Sequence, residues 1–162
     1  MITYLDDFLK ESEYKAVSEY CLIAPYVYGE RDHPEYEPTG MTHNIPSSEY
    51  VFKLLISRVE EKFEFLKEKK LYRVYANIFA PGEVANYHID HDSKDAYTLI
   101  YYPNPNIDWK LGDGGATEFY LDDSLQGIHP VRNRIAIFHS HLLHRATPFH
   151  KKHRFTIAIK YA

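Results

Sequence analysis

The amino-acid sequence predicts an α+β fold in which helices come first and a sandwich or barrel of short strands follows. Segments with helical periodicity end near Lys70. Beyond that point the apolar segments are short, rich in β-branched and aromatic residues, and separated by Pro, Gly, Asn and Asp. With 162 residues there is room for one hydrophobic core of ordinary size, so residues 1–162 are expected to form a single domain.

Ile2 to Leu5 reads as a short strand. A helix is expected over Ser12 to Leu22, where Tyr14, Val17 and Cys21 recur near the helical period. Glu30 to Pro46 holds three prolines, a glycine and mixed charges, and reads as a long irregular loop of the kind that forms lids or binding segments. Ser47 and Ser48 are N-cap candidates for a second helix, in which Val51, Leu54, Leu55, Val59, Phe63 and Leu66 make one apolar stripe. Strands are then expected at Leu71–Phe79, Tyr97–Tyr102, Thr117–Leu121, Ile135–Phe138 and Arg154–Tyr161.

Composition narrows the function classes. The formal charge is −4, so a general attraction to phosphate backbones is not expected, and the mixed strips Lys62–Lys70 and His150–Arg154 read as solvated surface. No apolar run approaches the roughly 18 residues of a membrane span. A start without a basic-then-apolar segment, together with a lone cysteine, Cys21, leads us to expect a protein of the reducing cytoplasm. Ten histidines suggest metal or acid–base chemistry, and fifteen tyrosines and nine phenylalanines suggest the filling of a small barrel.

In His88-Ile89-Asp90 an extended backbone would project the imidazole and the carboxylate from one face. A further histidine from another strand would complete a two-histidine, one-carboxylate triad, a donor set suited to Fe(II). Near the C-terminus, His144 precedes Arg154 by ten residues, and Arg154 opens an apolar, alternating strand. An arginine entering a buried strand needs an anion, either a carboxylate of the protein or one on an acidic ligand. The residues alone leave both open.

Taken together and in order, these pieces resemble the Fe(II)- and 2-oxoglutarate-dependent dioxygenases, and within them the prolyl-4-hydroxylase-like group. The matching segments are Asn77-Ile78-Phe79-Ala80-Pro81-Gly82 leading into His88-Ile89-Asp90, Thr98 to Asn104, Gly114-Gly115-Ala116-Thr117-Glu118-Phe119, and Leu143 to Pro148 followed by Arg154. The resemblance implies a double-stranded β-helix, the cupin-like jelly roll, over about residues 71–162, with supporting helices over about 1–70. It assigns His88, Asp90 and His144 as iron ligands and Arg154 as the partner of the distal carboxylate of 2-oxoglutarate. It also places Tyr102 and Asn77 at positions that contact the cosubstrate. Lys160, on the Arg154 face by alternation, would either neutralise a cosubstrate carboxylate or end the strand at the surface. The implied cofactors are Fe(II), 2-oxoglutarate and O2, with ascorbate a candidate accessory reductant.

Two positions depart from the family pattern: Phe79 stands where a tyrosine is common, and Ala116 where a glutamate often follows the glycine pair. A competing metal set, His139, His141 and His144, would suit zinc, but leaves His88-x-Asp90 and Arg154 unexplained. His91, His150, His153, His33, His43 and His129 read as exposed loop residues, with His43 also a lid candidate. Tyr75, Phe79, Ile100 and Phe155 read as pocket or barrel-core residues. The resemblance implies hydroxylation of a C–H bond, with a peptidyl prolyl side chain as first choice and a free amino acid or other small molecule as the alternative. Nucleic-acid demethylation and a non-catalytic binding module rank lower. The loops Glu30–Pro46 and Asn104–Asp113, the latter carrying Trp109, are expected to recognise the substrate.

Overall fold

Both helices lie before residue 70, together with three short strands, and the remaining strands follow it. The computed structural model describes residues 2–105 and 108–162. Strand β1 (Ile2–Leu5) is followed by helix α1 (Glu11–Ile23), strands β2 (Val27–Tyr28) and β3 (Met41–Asn44), helix α2 (Tyr50–Lys62) and a short 3-10 helix at Glu64–Glu68. Then come β4 (Leu71–Phe79), β5 (Tyr97–Tyr102), β6 (Thr117–Leu121), β7 (Ser124–Ile128), β8 (Arg134–His139), β9 (His144–Ala146) and β10 (Arg154–Tyr161).

The strands form two antiparallel sheets. The larger runs in the order β1-β8-β5-β10-β4-β3-β2 and the smaller in the order β7-β6-β9. An isolated bridge between His88 and His144 lays the segment before Asp90 alongside β9 as a further partner of the smaller sheet. From β4 onward the chain passes back and forth between the two sheets, which is the double-stranded β-helix anticipated above.

Alternation along β10 explains how one strand serves two layers. All eight of its residues are buried. Phe155, Ile157, Ile159 and Tyr161 join Val17, Cys21, Leu55 and Val59 of the two helices in the main hydrophobic cluster. Arg154, Thr156 and Ala158 face the barrel cavity instead. Phe155 is therefore a helix-side core residue and not a pocket residue. A second cluster of Tyr102, Phe119, Ile128, Ala136 and Phe138 fills the space between the sheets. The aromatics do not all fill the barrel, since Tyr4, Tyr28, Tyr50 and Tyr120 are exposed.

Several local expectations are corrected. The segment Glu30–Pro46 is not loop throughout, because Met41–Asn44 forms β3 and pairs with β4. Its polar sequence lacks an alternating pattern, and the strand is held by its neighbour's open edge. Ser47 and Ser48 do not cap α2; Glu49 occupies the N-cap position and makes no side-chain capping bond. Phe63 ends α2, and Leu66, the last residue of the apolar stripe, is buried from the 3-10 turn. Strands β2, β7 and β9 were not predicted: β2 is two residues long, four of the five β7 residues are exposed, and β9 is three residues long.

The N-terminal support is fastened to the barrel by Asn133, which sits at φ 60°. Asparagine tolerates this left-handed conformation better than most residues. Its side chain accepts from the Leu9 N–H at 3.0 Å and from the Tyr101 hydroxyl at 2.9 Å, and donates to the Leu9 carbonyl at 2.8 Å. We expect Asn133→Ala to strand these buried groups and lower unfolding stability by about 2–4 kcal/mol. Urea denaturation monitored by circular dichroism measures this loss; an unchanged midpoint would remove Asn133 from this role.

Candidate active site

The centre of the site is a backbone contact. The His88 N–H donates to the His144 carbonyl at 2.9 Å, and the His144 N–H returns a bond to the His88 carbonyl at 3.0 Å. Such reciprocal antiparallel pairing places two side chains next to each other on one face of a sheet. The two imidazole rings accordingly lie 4.5 Å apart between centroids. The Asp90 N–H donates to the Ser140 carbonyl at 2.8 Å, which keeps the strand-like course for two more residues and turns the carboxylate to the same side. Nε2 of His88 lies 3.6 Å from Asp90 Oδ1, and Nε2 of His144 lies 3.5 Å from Asp90 Oδ2.

The tautomers follow from the other ring nitrogens. Nδ1 of His88 is 3.0 Å from the Asn86 carbonyl, and Nδ1 of His144 is 2.8 Å from the Leu142 carbonyl. A carbonyl only accepts, so both Nδ1 atoms carry hydrogen and both Nε2 atoms can present lone pairs to a common point. One donor atom from each of His88, Asp90 and His144 falls within 4.8 Å of the others, a spacing that can hold a metal ion. Among the described residues this is the one such group; His139 and His141 do not assemble with His144.

Asp90 is held by two further side chains. The Thr98 hydroxyl donates to Oδ2 at 2.6 Å and the Lys160 ammonium to Oδ1 at 2.7 Å. Burial acts to raise the Asp90 pKa, but the facing His88 ring and the charges of Lys160 and the two histidines dominate and hold the carboxyl far below its usual range. The two imidazoles diverge. Burial pushes His144 down to about 4, whereas in His88 the opposing effect of burial is outweighed by the facing Asp90 carboxylate and the charge of Asp32, so its pKa is raised. Lys160, expected on the cosubstrate or at the surface, is instead buried with its ammonium on Asp90. Its location became visible only when β10 and the His88 segment came together.

Arg154 lies in the same cavity as the triad. It is 2% exposed, which makes the identity of its partners decisive. Nε donates to the Gly115 carbonyl at 2.9 Å and Nη2 to the Thr117 hydroxyl at 2.9 Å. Among the described residues no carboxylate pairs with it, so the protein does not supply the anion that the guanidinium calls for. Gly115 stands at φ 82°, and a Cβ there would meet the Phe149 ring at 2.9 Å; only glycine lets the backbone pass this ring in that conformation.

The Tyr102 hydroxyl meets Thr117 Oγ1 at 2.6 Å, and the Arg154 guanidinium carbon lies 5.7 Å from the Tyr102 ring. Asn77 lines the cavity with its amide oxygen buried and without a hydrogen-bond partner. Tyr75, Phe79 and Ile100 also line the cavity, so the position of the absent tyrosine is apolar wall. Thr98, Thr117 and Ser140 were not singled out in the sequence. Alternation with Tyr102 could have placed Thr98 on the inner face; Ser140, whose hydroxyl lies 2.9 Å from that of Thr98, carried no signal.

Other expected residues lie elsewhere. His43 is on β3, where its Nε2 lies 2.9 Å from the Tyr20 hydroxyl. Trp109 stacks on His129 at 4.4 Å and donates to the Gly114 carbonyl at 3.0 Å. Residues 106 and 107 of the Asn104–Asp113 loop lie outside the described residues. No helix among the described residues is long and apolar enough to cross a membrane.

Comparison with known proteins agrees with this geometry. Among solved structures, the chain is similar to a Pseudomonas putida prolyl-4-hydroxylase, with a TM-score of 0.81 at 15% identity over 99% of this chain and 91% of the other. It is also similar to a Trichoplax adhaerens prolyl hydroxylase in complex with a hypoxia inducible factor peptide fragment, with a TM-score of 0.79 at 20% identity over 99% and 82%. HygX from Streptomyces hygroscopicus, bound to nickel, 2-oxoglutarate and hygromycin B, superposes with a TM-score of 0.76 at 10% identity over 99% and 82%. No curated protein sequence matches significantly. The family profile of the 2OG-Fe(II) oxygenase superfamily matches residues 73–161, the span that contains most of β4, the His88 segment and the whole of β10 with Arg154. The chain therefore belongs to the 2OG-Fe(II) oxygenase superfamily.

Proposed function

We propose that His88, Asp90 and His144 hold Fe(II), that Arg154 holds the distal carboxylate of 2-oxoglutarate, and that the enzyme hydroxylates a peptidyl side chain, proline first. The observation that carries this reading is the pairing, within one cavity, of a two-histidine, one-carboxylate face with a buried arginine that no protein carboxylate neutralises. The bound iron and cosubstrate supply the oxidising power that inserts an oxygen atom from O2 into a C–H bond, with 2-oxoglutarate leaving as succinate and carbon dioxide.

The residues of the chain divide the remaining work. The Asn86 and Leu142 carbonyls fix the imidazoles in the tautomer that leaves Nε2 free, and Lys160 and Thr98 orient Asp90. Thr117, shared by Tyr102 and Arg154, holds the guanidinium in position for a bidentate carboxylate. Asn77, which lines the cavity, is a further cosubstrate contact in this reading, donating through its amide N–H2. Phe79, Ile100, Ala146 and Ala158 give the cavity an apolar wall that limits water at the reacting carbon. The preference for a prolyl substrate rests on the Gly114-Gly115 and Leu143–Pro148 segments and on the prolyl hydroxylases among the similar folds.

Incubation of the iron-loaded enzyme with proline-containing peptides and 2-oxoglutarate should add one oxygen atom to a peptide, read by mass spectrometry. Activity confined to free metabolites would overturn the peptide assignment. Arg154→Gln should raise the KM for 2-oxoglutarate about 10–100-fold, the loss of a charged hydrogen-bonded pair, measured by succinate formation.

Metal affinity should rise with pH. The His88 pKa is raised in the metal-free protein, so its bound proton competes with the metal below that pKa and stops competing above it. The same proton stabilises the metal-free fold in acid, and that contribution is lost as pH rises through the raised value. Calorimetric titration with Mn(II) in buffers of different ionisation heat should show proton release that declines toward alkaline pH; a pH-independent affinity would contradict this.

A further inference from the structure

Three acidic or basic side chains line the cavity besides the imidazoles: Asp32, Asp90 and Arg154. Asp90 is met by Lys160, Thr98 and the metal position, and Arg154 faces the cosubstrate. Asp32 has no such counterpart. The nearest cationic atom is Nδ1 of His88 at 3.6 Å from Oδ2, but the hydrogen on that nitrogen is directed to the Asn86 carbonyl at 3.0 Å. Among the described residues no side chain or backbone N–H donates a hydrogen bond to the Asp32 carboxylate. Its side chain is 25% exposed, which places it at the mouth of the cavity and not outside it.

The loop that carries Asp32 is fastened at both ends. Two residues earlier, the Glu30 carboxylate takes both terminal nitrogens of Arg73 at 2.6 Å each and the Thr42 hydroxyl at 2.9 Å, tying the loop to β4 and β3. At the far end, the Gly40 N–H donates to Glu83 Oε1 at 2.7 Å, while Glu83 Oε2 accepts from the Ala80 N–H at 2.9 Å. A carboxylate held in this way is poised for a cation from outside the protein.

We propose that Asp32 recognises a cationic group of the substrate, a protonated amine or guanidinium close to the C–H bond that is oxidised. In a peptide this is a lysine or arginine beside the reacting residue. The proposal rests on the oxygenase reading of the cavity and adds the charge of the substrate to it.

The test uses full-length protein loaded with redox-inert Zn(II) and 2-oxoglutarate, titrated with two proline-containing peptides that differ only in lysine or norleucine beside the proline. Binding is followed by NMR. The lysine peptide should bind at least about tenfold more tightly, the range of a charge-assisted hydrogen bond. Asp32→Asn should bring the ratio to about one, and Asp32→Lys should favour a glutamate peptide over the lysine one. Equal binding of the first pair by the parent protein, or a lysine preference that survives in Asp32→Asn, would overturn the proposal. A loss of Zn(II) affinity in Asp32→Asn would also overturn it, since Asp32 would then act through His88. Succinate formation by the iron-loaded parent checks the oxygenase reading separately: its absence sinks that reading, whereas its presence with equal peptide binding sinks only the role of Asp32.

Discussion

The reciprocal backbone bonds between His88 and His144 are the contact on which the site depends. They join a segment without a strand of its own to a strand of three residues, and thereby add a partner to the edge of the smaller sheet. Pairing in an antiparallel ladder fixes which side chains stand together, because a shift of one residue would turn one imidazole to the opposite face. Asp90 follows through its bond to Ser140, and the carboxylate reaches Thr98 of β5 and Lys160 of β10 across the barrel. The metal-binding face is thus a consequence of barrel closure.

Charge inside the barrel is arranged unequally. Asp90, Lys160 and Thr98 form a satisfied group, and removing water from such ions is tolerable only because each meets an oppositely charged or hydrogen-bonding partner. Arg154 is as deeply buried but meets only a backbone carbonyl and a hydroxyl. Burial correspondingly lowers its pKa, although an arginine remains charged near neutrality. This unmet positive charge costs stability in the ligand-free protein and favours an acidic ligand. The same logic, with the sign reversed, applies to Asp32 at the cavity mouth.

The similarity to proteins whose structures hold molecules as different as a peptide fragment and hygromycin B is one of fold, at identities of 20% and below. A shared fold can host different functions because function resides in the site built on it and not in the scaffold itself. Here the loop after β2, pinned through Glu30 and through Gly40, presents Asp32 to the cavity.

What the sequence alone determined is local in kind. Helical stripes, the strands β1, β4, β5, β6, β8 and β10, and the His88-x-Asp90 alternation are set by spacing along the chain, which periodicity reads directly. The motif order also pointed to His144 and Arg154, because the resemblance rests on residues close to each other in sequence. The tertiary structure decided what depends on distant segments meeting. Strands β3 and β9 exist because neighbouring edges accept their backbone bonds, not because their residues favour strands. Lys160 reaches Asp90 across a separation of 70 residues, and Asp32 approaches His88 across the fold. No pattern along the chain encodes those meetings, since the partners share neither a strand nor a helical turn, and only the closed barrel brings their charges within reach.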